Sequence, residues 1–245
     1  MKQVILKIEK NEQIARDVFR MALSGDVADV TTPGQFVNIA LSGRFLRRPI
    51  SVCECREGAL TILYKVVGQG TAQMAEMEKG QTLDVLTGLG NGFDVTAAGS
   101  RTLLVGGGIG AAPLFWLARA LKARGVRTTA VLGFNTETDI YCLSEFASIC
   151  DDTVIATADG SRGIRGFVTD AMAGLKYDYL YACGPEPMLR VVYQSCSSDG
   201  EFSFEERMGC GFGACMGCSC RTVTGWKRIC RDGPVLKKGE ILWAD

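Results

Sequence analysis

Three observations predict a multidomain chain, β plus α/β. Through residue 98 the sequence carries short β-rich segments broken by Gly and Pro turns, and from 99 to 200 apolar strands alternate with helical stretches. From 201 to 245 it becomes a glycine-rich cysteine loop with its flanks. The first pattern reads as a small antiparallel barrel and the second as a parallel α/β sheet. The third reads as a module too small to fold well without a metal. With 245 residues, 47% of them apolar, the chain has enough material for real cores in both larger units.

In the first unit the strand-like segments are Val4–Ile8, Gln35–Ala40, Ala59–Val67 and Leu83–Leu86, with turns at Pro33–Gly34, Gly68–Gly70 and Gly88–Gly92. In the second, strands at Thr102–Val105, Thr128–Gly133, Thr153–Thr157 and Tyr179–Ala182 are separated by helices such as Ala112–Ala123 and Leu143–Ile149. No internal repeat or low-complexity segment interrupts either pattern.

Composition excludes several function classes. The 27 basic and 27 acidic residues form no basic block, so nothing argues for nucleic acid. No run of about eighteen apolar residues occurs, so no membrane span is expected. The opening MKQVILKIEK alternates like a strand and lacks a continuous apolar leader. The eleven cysteines are therefore expected to be reduced thiols of a cytoplasmic protein rather than a disulfide scaffold. Histidine is absent, which removes His-dependent catalysis, Rieske ligation and most catalytic zinc sites. Hard chemistry must then come from cofactors.

The cysteine loop is the most specific motif. Cys210, Cys215 and Cys218 follow the C-x4-C-x2-C spacing of plant-type [2Fe–2S] proteins, and Cys230 comes eleven residues later. Gly209, Gly211, Gly213, Ala214 and Gly217 fill the intervals with residues that let backbone N–H groups approach cluster sulfurs. A structural zinc site is the competing reading, but it usually shows two short knuckles, and only Cys215 and Cys218 make one. Cys220 is an alternative ligand that the spacing makes a spectator.

A second motif follows the strand TLLV. Gly106, Gly107, Gly108, Ile109 and Gly110 lead into an amphipathic helix, a turn that offers backbone donors and a helix dipole to a pyrophosphate. Such turns also serve merely to pack strand on helix closely. After the last strand, Cys183 and Gly184 stand before Pro185 at the sheet's carboxyl edge, where open α/β sheets bind ligands. Cys183 is equally readable as a small buried residue. In the barrel, Arg47-Arg48-Pro49-Ile50-Ser51 combines a phosphate fork, a fixed chain and a hydroxyl, though paired arginines are commonly just a solvated strand end. Leu63-Tyr64-Lys65 then precedes Gly68-Gln69-Gly70-Thr71, a second turn with backbone donors.

RRPIS, LYK with GQGT, GGGIGAAPL, CGPEPM and the C-terminal cysteine loop, in that order, resemble the electron-transfer subunits of class 1B dihydroorotate dehydrogenases, in the ferredoxin-reductase superfamily. EERMGCGFGAC and CRDGPV are especially similar, and the resemblance covers essentially the whole chain. It implies an FAD-binding barrel (1–98), a Rossmann-like NAD domain (99–200) and a [2Fe–2S] module (201–245). It also implies pairing with a separate FMN-containing catalytic subunit, two of each in a heterotetramer. Carried over by residue, Arg48, Pro49, Ile50, Ser51, Leu63, Tyr64, Lys65, Gly70 and Thr71 would contact FAD. Gly106, Gly107, Gly108, Ile109 and Gly110 would face NAD, with Cys183 and Gly184 near the nicotinamide. Cys210, Cys215, Cys218 and Cys230 would hold the cluster, and the gap before Cys230 is short relative to some members of the family, which leaves the route of the last hairpin open but not the ligand set.

Electron counting orders these groups. A [2Fe–2S] cluster takes one electron, NADH carries two, and a flavin converts between them, so FAD stands between cluster and nucleotide. The implied route runs from FMN in the partner through the cluster and FAD to NAD⁺, with orotate chemistry left to the partner. Phe134-Asn135-Thr136-Glu137-Thr138-Asp139 suits a ribose 2′-OH and hence NAD; Arg162 and Arg165 count against this if they reach a phosphate. One rival is the flavin and iron–sulfur subunit of an NAD(P)H:ferredoxin oxidoreductase or sulfide dehydrogenase, in which Asp is expected in place of Cys210. A non-enzymatic protein with a zinc clip is the other. Phe212, Met216 and Trp226 flank the ligands as a candidate partner surface or as ordinary cluster shielding.

Overall fold

The computed structural model describes residues 1–243. Six strands, β1 (Lys2–Ala15), β2 (Val18–Ser24), β3 (Phe36–Ile39), β4 (Arg48–Arg56), β5 (Ala59–Lys65) and β6 (Thr82–Leu89), close a barrel in the order β1-β2-β5-β4-β3-β6. Every neighbouring pair is antiparallel. Inward residues alternate along the strands, as Val4, Leu6 and Ile8 do on β1, and fill the interior with Met21, Val37, Ile62 and Val85. A short helix, α1 (Gln69–Ala75), follows β5. It lies where the sequence suggested only a turn, because Thr71 Oγ1 accepts the N–H groups of Val67 and Gly68 and so starts a helix without a conventional Ncap side chain.

Beyond the barrel come β7 (Arg101–Gly107), α2 (Ala111–Ala123), β8 (Arg127–Phe134), α3 (Leu143–Ile149), β9 (Asp152–Thr157), β10 (Ile164–Arg165), α4 (Val168–Met172), β11 (Tyr179–Cys183), α5 (Glu186–Ser195) and β12 (Asp199–Ser203). They form a parallel sheet in the order β10-β9-β8-β7-β11-β12. The strand sequences are near-continuous apolar runs because helices cover both faces. On one face Leu104, Ala130 and Tyr181 pack with Leu114, Leu117 and Phe146; on the other Leu103, Val105 and Val131 pack with Met172, Leu189 and Val192.

The cysteine module consists of a long loop, the hairpin β13 (Ser219–Thr222) and β14 (Gly225–Arg228), the single turn α6 (Ile229–Asp232) and β15 (Val235–Lys237). The module is continuous with its neighbours. β12 runs across the 200/201 boundary drawn from composition, and β15 adds to it antiparallel as the seventh strand, Ser203 opposite Val235 and Glu201 opposite Lys237. Cys218, Ile229 and Cys230 share a buried core with Leu180, Phe202 and the barrel residues Phe36 and Leu89. The tight hairpin and the single helical turn route the chain through the short gap between Cys218 and Cys230.

Polar and apolar contacts join barrel to sheet. Val18, Cys53, Leu63 and Phe93 belong to the same core as α2 and α3. Arg119 pairs with Glu54 at 2.5 Å and Arg20 with Glu145 at 2.7 Å. No described helix is long and apolar enough to cross a membrane.

Candidate functional site

The site begins where the barrel wall splits. Arg48, Pro49, Ile50 and Ser51 pair with β3, opposite Ile39, Asn38, Val37 and Phe36. The ladder between β4 and β5 starts only at Val52 and Ile62, so Arg48–Ser51 and Leu63–Lys65 flank a gap in the hydrogen bonding. Backbone groups left unpaired there are donors and acceptors for a ligand. The two arginines part company. Arg47 is held by Asp84 at 3.0 Å, whereas Arg48 donates only to the carbonyls of Leu46 and Arg47 and keeps its charge without a described acidic partner. A Cβ at Gly70 would stand 2.2 Å from Arg48 Nε, so only glycine lets the guanidinium lie against the start of α1.

The remaining barrel residues divide by side chain. Leu63 and Tyr64 are buried, and the Tyr64 ring stacks on Phe19 at 5.7 Å. The Tyr64 hydroxyl donates to Asn11 Oδ1, and Asn11 Nδ2 donates to the carbonyls of Met74 and Met77. Tyr64 thus steadies α1 from inside, and what it can offer the gap is main chain. The Thr71 hydroxyl is likewise engaged in its own turn.

A cavity of about 550 Å³ opens beside this gap, at the carboxyl ends of β7, β8 and β11, and Val18 and Lys65 of the barrel reach into it. Gly107, Gly108 and Ile109 line it, as do Asn135 and Asp139 after β8. Gly106, Gly110, Cys183 and Gly184 instead lie beneath the lining. A Cβ at Gly110 would meet the Cys183 carbonyl oxygen at 2.6 Å, and one at Gly106 would meet Ala111 at 2.9 Å. These glycines bring the two turns together, which is how β7 and β11 can present both at one edge. Cys183 is buried, and that burial, with Glu205 nearby, pushes its thiol up to about 12. Glu205, which sequence reasoning did not single out, lines the same cavity, and its protein surround raises its carboxyl above the ordinary range. Arg162 and Arg165 are exposed and do not line the cavity.

The four cysteines stand in two pairs. Cys210 N–H donates to Cys215 Sγ at 3.5 Å, and Cys230 N–H donates to Cys218 Sγ at 3.4 Å. Burial opposes a thiolate at Cys210, but the amides of Cys215, Phe212 and Ala214 aimed at its sulfur prevail and bring it down to about 6. Cys218 and Cys230 are buried while Cys215 is exposed, so one side of the site faces outward. Among the described residues no three His, Cys, Asp or Glu donors converge on one ion. Four cysteines with backbone amides directed at their sulfurs fit the donor set of a [2Fe–2S] cluster. Cys220 lies on β13 opposite Lys227, outside both pairs.

Residues with no local sequence signal hold this loop. Asn38 Nδ2 donates to the Cys210 carbonyl at 3.0 Å, and a Cβ at Gly211, where φ is +79°, would meet that same nitrogen at 2.2 Å. Because Asn38 is also the pairing partner of Pro49, the cluster loop and the RRPIS strand are separated by a single strand residue. Arg228 Nη1 donates to the Gly213 carbonyl at 2.9 Å while Nε donates to Asp232. Asn91 of the barrel exchanges side-chain hydrogen bonds with both main-chain groups of Val235.

A split antiparallel barrel, a cleft at a parallel sheet edge and a paired-cysteine loop define a ferredoxin-reductase-type oxidoreductase with an added iron–sulfur module. Residues 104–194 match the family of oxidoreductase NAD-binding domains, and residues 205–242 match the iron–sulfur cluster binding domain of dihydroorotate dehydrogenase B. The dihydroorotate dehydrogenase B (NAD⁺) electron transfer subunit of Geobacillus sp. (strain WCH70) is 44% identical over 99% of both chains. That of Fusobacterium nucleatum is 42% identical over 96% of each. A structure of the NADH-dependent reduced ferredoxin-NADP oxidoreductase superposes with a TM-score of 0.88 at 33% identity, over 98% of this chain and 90% of that one. Phthalate dioxygenase reductase shares the fold, with a TM-score of 0.64 at 23% identity over 79% and 64% of the two chains. The chain belongs to the family of dihydroorotate dehydrogenase B electron-transfer subunits. Its cofactors are FAD, a [2Fe–2S] cluster and NAD.

Proposed function

We propose that this chain passes electrons from an FMN-containing catalytic subunit through its [2Fe–2S] cluster and FAD to NAD⁺ as dihydroorotate is oxidised to orotate in pyrimidine synthesis. The observation that carries this is the sequence identity over nearly the full length of the dihydroorotate dehydrogenase relatives, joined to three sites that abut one another. The ferredoxin-NADP oxidoreductase relative is less similar, and Cys210 stands where an Asp is expected of that class.

When bound, FAD exchanges electrons in pairs with the nicotinamide and singly with the cluster. The chain's own residues supply position and electrostatics. Arg48, without an acidic partner among the described residues, would supply its guanidinium to the flavin phosphates, and Pro49–Ser51 with Leu63–Lys65 would offer the main chain of the barrel gap and the Ser51 hydroxyl to the flavin. Gly70 and Thr71 complete that site through backbone N–H groups. Gly107, Gly108 and Ile109 receive the nucleotide, and Gly106, Gly110, Cys183 and Gly184 fix the edge on which it lies. Cys210, Cys215, Cys218 and Cys230 would hold the cluster, which supplies one-electron transfer. The 1–98, 99–200 and 201–245 modules correspond to these three tasks, with β12 and β15 stitching the last two together. Exposed Phe212, Met216 and Trp226, near the open side of the cluster, face the catalytic subunit in an assembly of two copies of each.

The test is an anaerobic visible spectrum of the chain purified with its catalytic partner. Dihydroorotate and NADH, added separately, are each expected to bleach the flavin and iron–sulfur bands. Bleaching by NADH or NADPH but not by dihydroorotate would move the protein to the related ferredoxin oxidoreductases.

A further inference from the structure

The loop between β8 and α3 touches both halves of the nucleotide cleft. On the barrel side Asp139 accepts Arg16 Nε at 2.9 Å and Nη2 at 3.0 Å, and the Arg16 N–H donates to the Thr138 carbonyl at 3.1 Å. The Asp139 side chain is only 8% exposed while that of Arg16 is 54% exposed, so the carboxylate is the buried half of a fork whose guanidinium lies at the surface. On the sheet side the Tyr141 hydroxyl donates to the Gly108 carbonyl at 2.8 Å. The Tyr141 ring is 4% exposed and packs edge-on against Phe134 at 5.6 Å. Burial raises its phenol well above the usual range, so it remains a neutral donor.

The Gly108 carbonyl also accepts the Ala111 N–H at the end of the short 3₁₀ turn, so Tyr141 is a second anchor, supplied from outside the turn. The Gly108 φ is +53° and the space around a Cβ there is empty, so sterics do not fix the peptide that follows. In a planar trans peptide the carbonyl and the next N–H point opposite ways, so holding the Gly108 oxygen also aims the Ile109 N–H. Gly108, Ile109, Asp139 and Tyr141 all line the same cavity.

We infer that Tyr141 is a positioning residue for the nicotinamide nucleotide: its hydroxyl, on a loop braced to the barrel by Arg16 and Asp139, holds the Gly108–Ile109 peptide in the orientation that receives the ligand. The inference rests on the NAD reading of this cleft. Tyr141 acts on affinity, not on electron transfer, because its hydroxyl is directed at the turn.

NADH titrated calorimetrically into the flavin- and cluster-loaded complex tests it. Tyr141→Phe is expected to weaken NADH binding about five- to tenfold, the scale of one lost hydrogen bond. KM should rise in step, with kcat at saturating NADH within about twofold, flavin content unchanged and the melting temperature lowered by no more than a few degrees. Arg16→Ala, which loosens the brace from the other side, is expected to weaken binding about two- to threefold. An unchanged dissociation constant in Tyr141→Phe, or a fall in kcat with KM unmoved, overturns the inference. If Tyr141→Phe does not fold, Arg16→Ala decides alone, and unaltered NADH affinity there overturns it. Failure of the parent complex to bind NADH would instead reject the NAD reading itself.

Discussion

The nucleotide sheet and the cysteine module share a buried core, yet they are held in different ways. The sheet is an apolar sandwich whose strands pair with sequence neighbours except where β7 meets β11, and Leu104, Val105, Leu114 and Leu117 are fully buried within it. The module contributes a few apolar residues and depends on pins from elsewhere: Asn38 and Asn91 from the barrel, Arg228 across its own loop, and four thiols. A binding edge can therefore be built largely by packing, with Tyr141 pinning one peptide of it, whereas a loop that wraps backbone around a cluster leaves little side chain to pack and must be tied at several points.

The sharpest way to break this contrast is to remove a buried thiol. Cys218→Ser should abolish the iron–sulfur bands and cut dihydroorotate-driven NADH formation at least ~100-fold, beyond the ~10–100-fold cost of losing an outer-shell partner. NADH oxidation by an artificial dye through the flavin should persist. Retained dye activity with lost NADH formation is the expected pair of rates, and loss of both would mean that the module also holds the sheet together.

The opposite cut is Leu104→Ala in the sheet core, where the residue is fully buried. Its expected cost is ~2–5 kcal/mol in a urea melt, with iron content per folded molecule unchanged.

Glu201 tests the seam between the two regions. It is buried on β12 opposite Lys237, accepts the Asp94 N–H at 2.9 Å, and is pushed by burial to about 7 from 4.5. Between those values the folded state holds a proton that the unfolded chain has released, so stability should fall as pH rises from 4.5 to 7 and stay lower above. Glu201→Gln should flatten that window and add ~1–3 kcal/mol at pH 8; a parent melt that is flat across the window would contradict the assignment.

The smallest effect is expected at Gly211. An alanine there meets Asn38 in a left-handed backbone conformation and should cost ~1–2 kcal/mol, lowering cluster occupancy measured by iron content. Gly174→Ala shares the positive φ but has open space, and should leave iron content alone.

Much of the barrel and sheet was legible in the sequence because alternation and Gly–Pro punctuation are local signals. Leu143–Ile149 was read to the residue, and all four segments proposed as α/β strands fall in β7, β8, β9 and β11. What escaped was non-local or side-chain specific. The start of α1 is made by Thr71 inside the turn, and β15 returns to the sheet edge after more than thirty intervening residues, a pairing with no periodicity to reveal it. Within the site the cysteine spacing stood out as a motif because it is a local pattern of residues. The Asn38 pin, 172 residues from Cys210, and the Tyr141 anchor did not, since each is one hydrogen bond between distant segments. The two arginines before Pro49 looked equivalent until Asp84 was seen to hold one of them.

The most direct test follows the cluster itself. NADH is added anaerobically to the complete flavin-loaded complex while the electron paramagnetic resonance of the cluster is recorded. A single relay predicts that the reduced-cluster signal appears as the flavin bands bleach; full flavin bleaching with no cluster signal would contradict it.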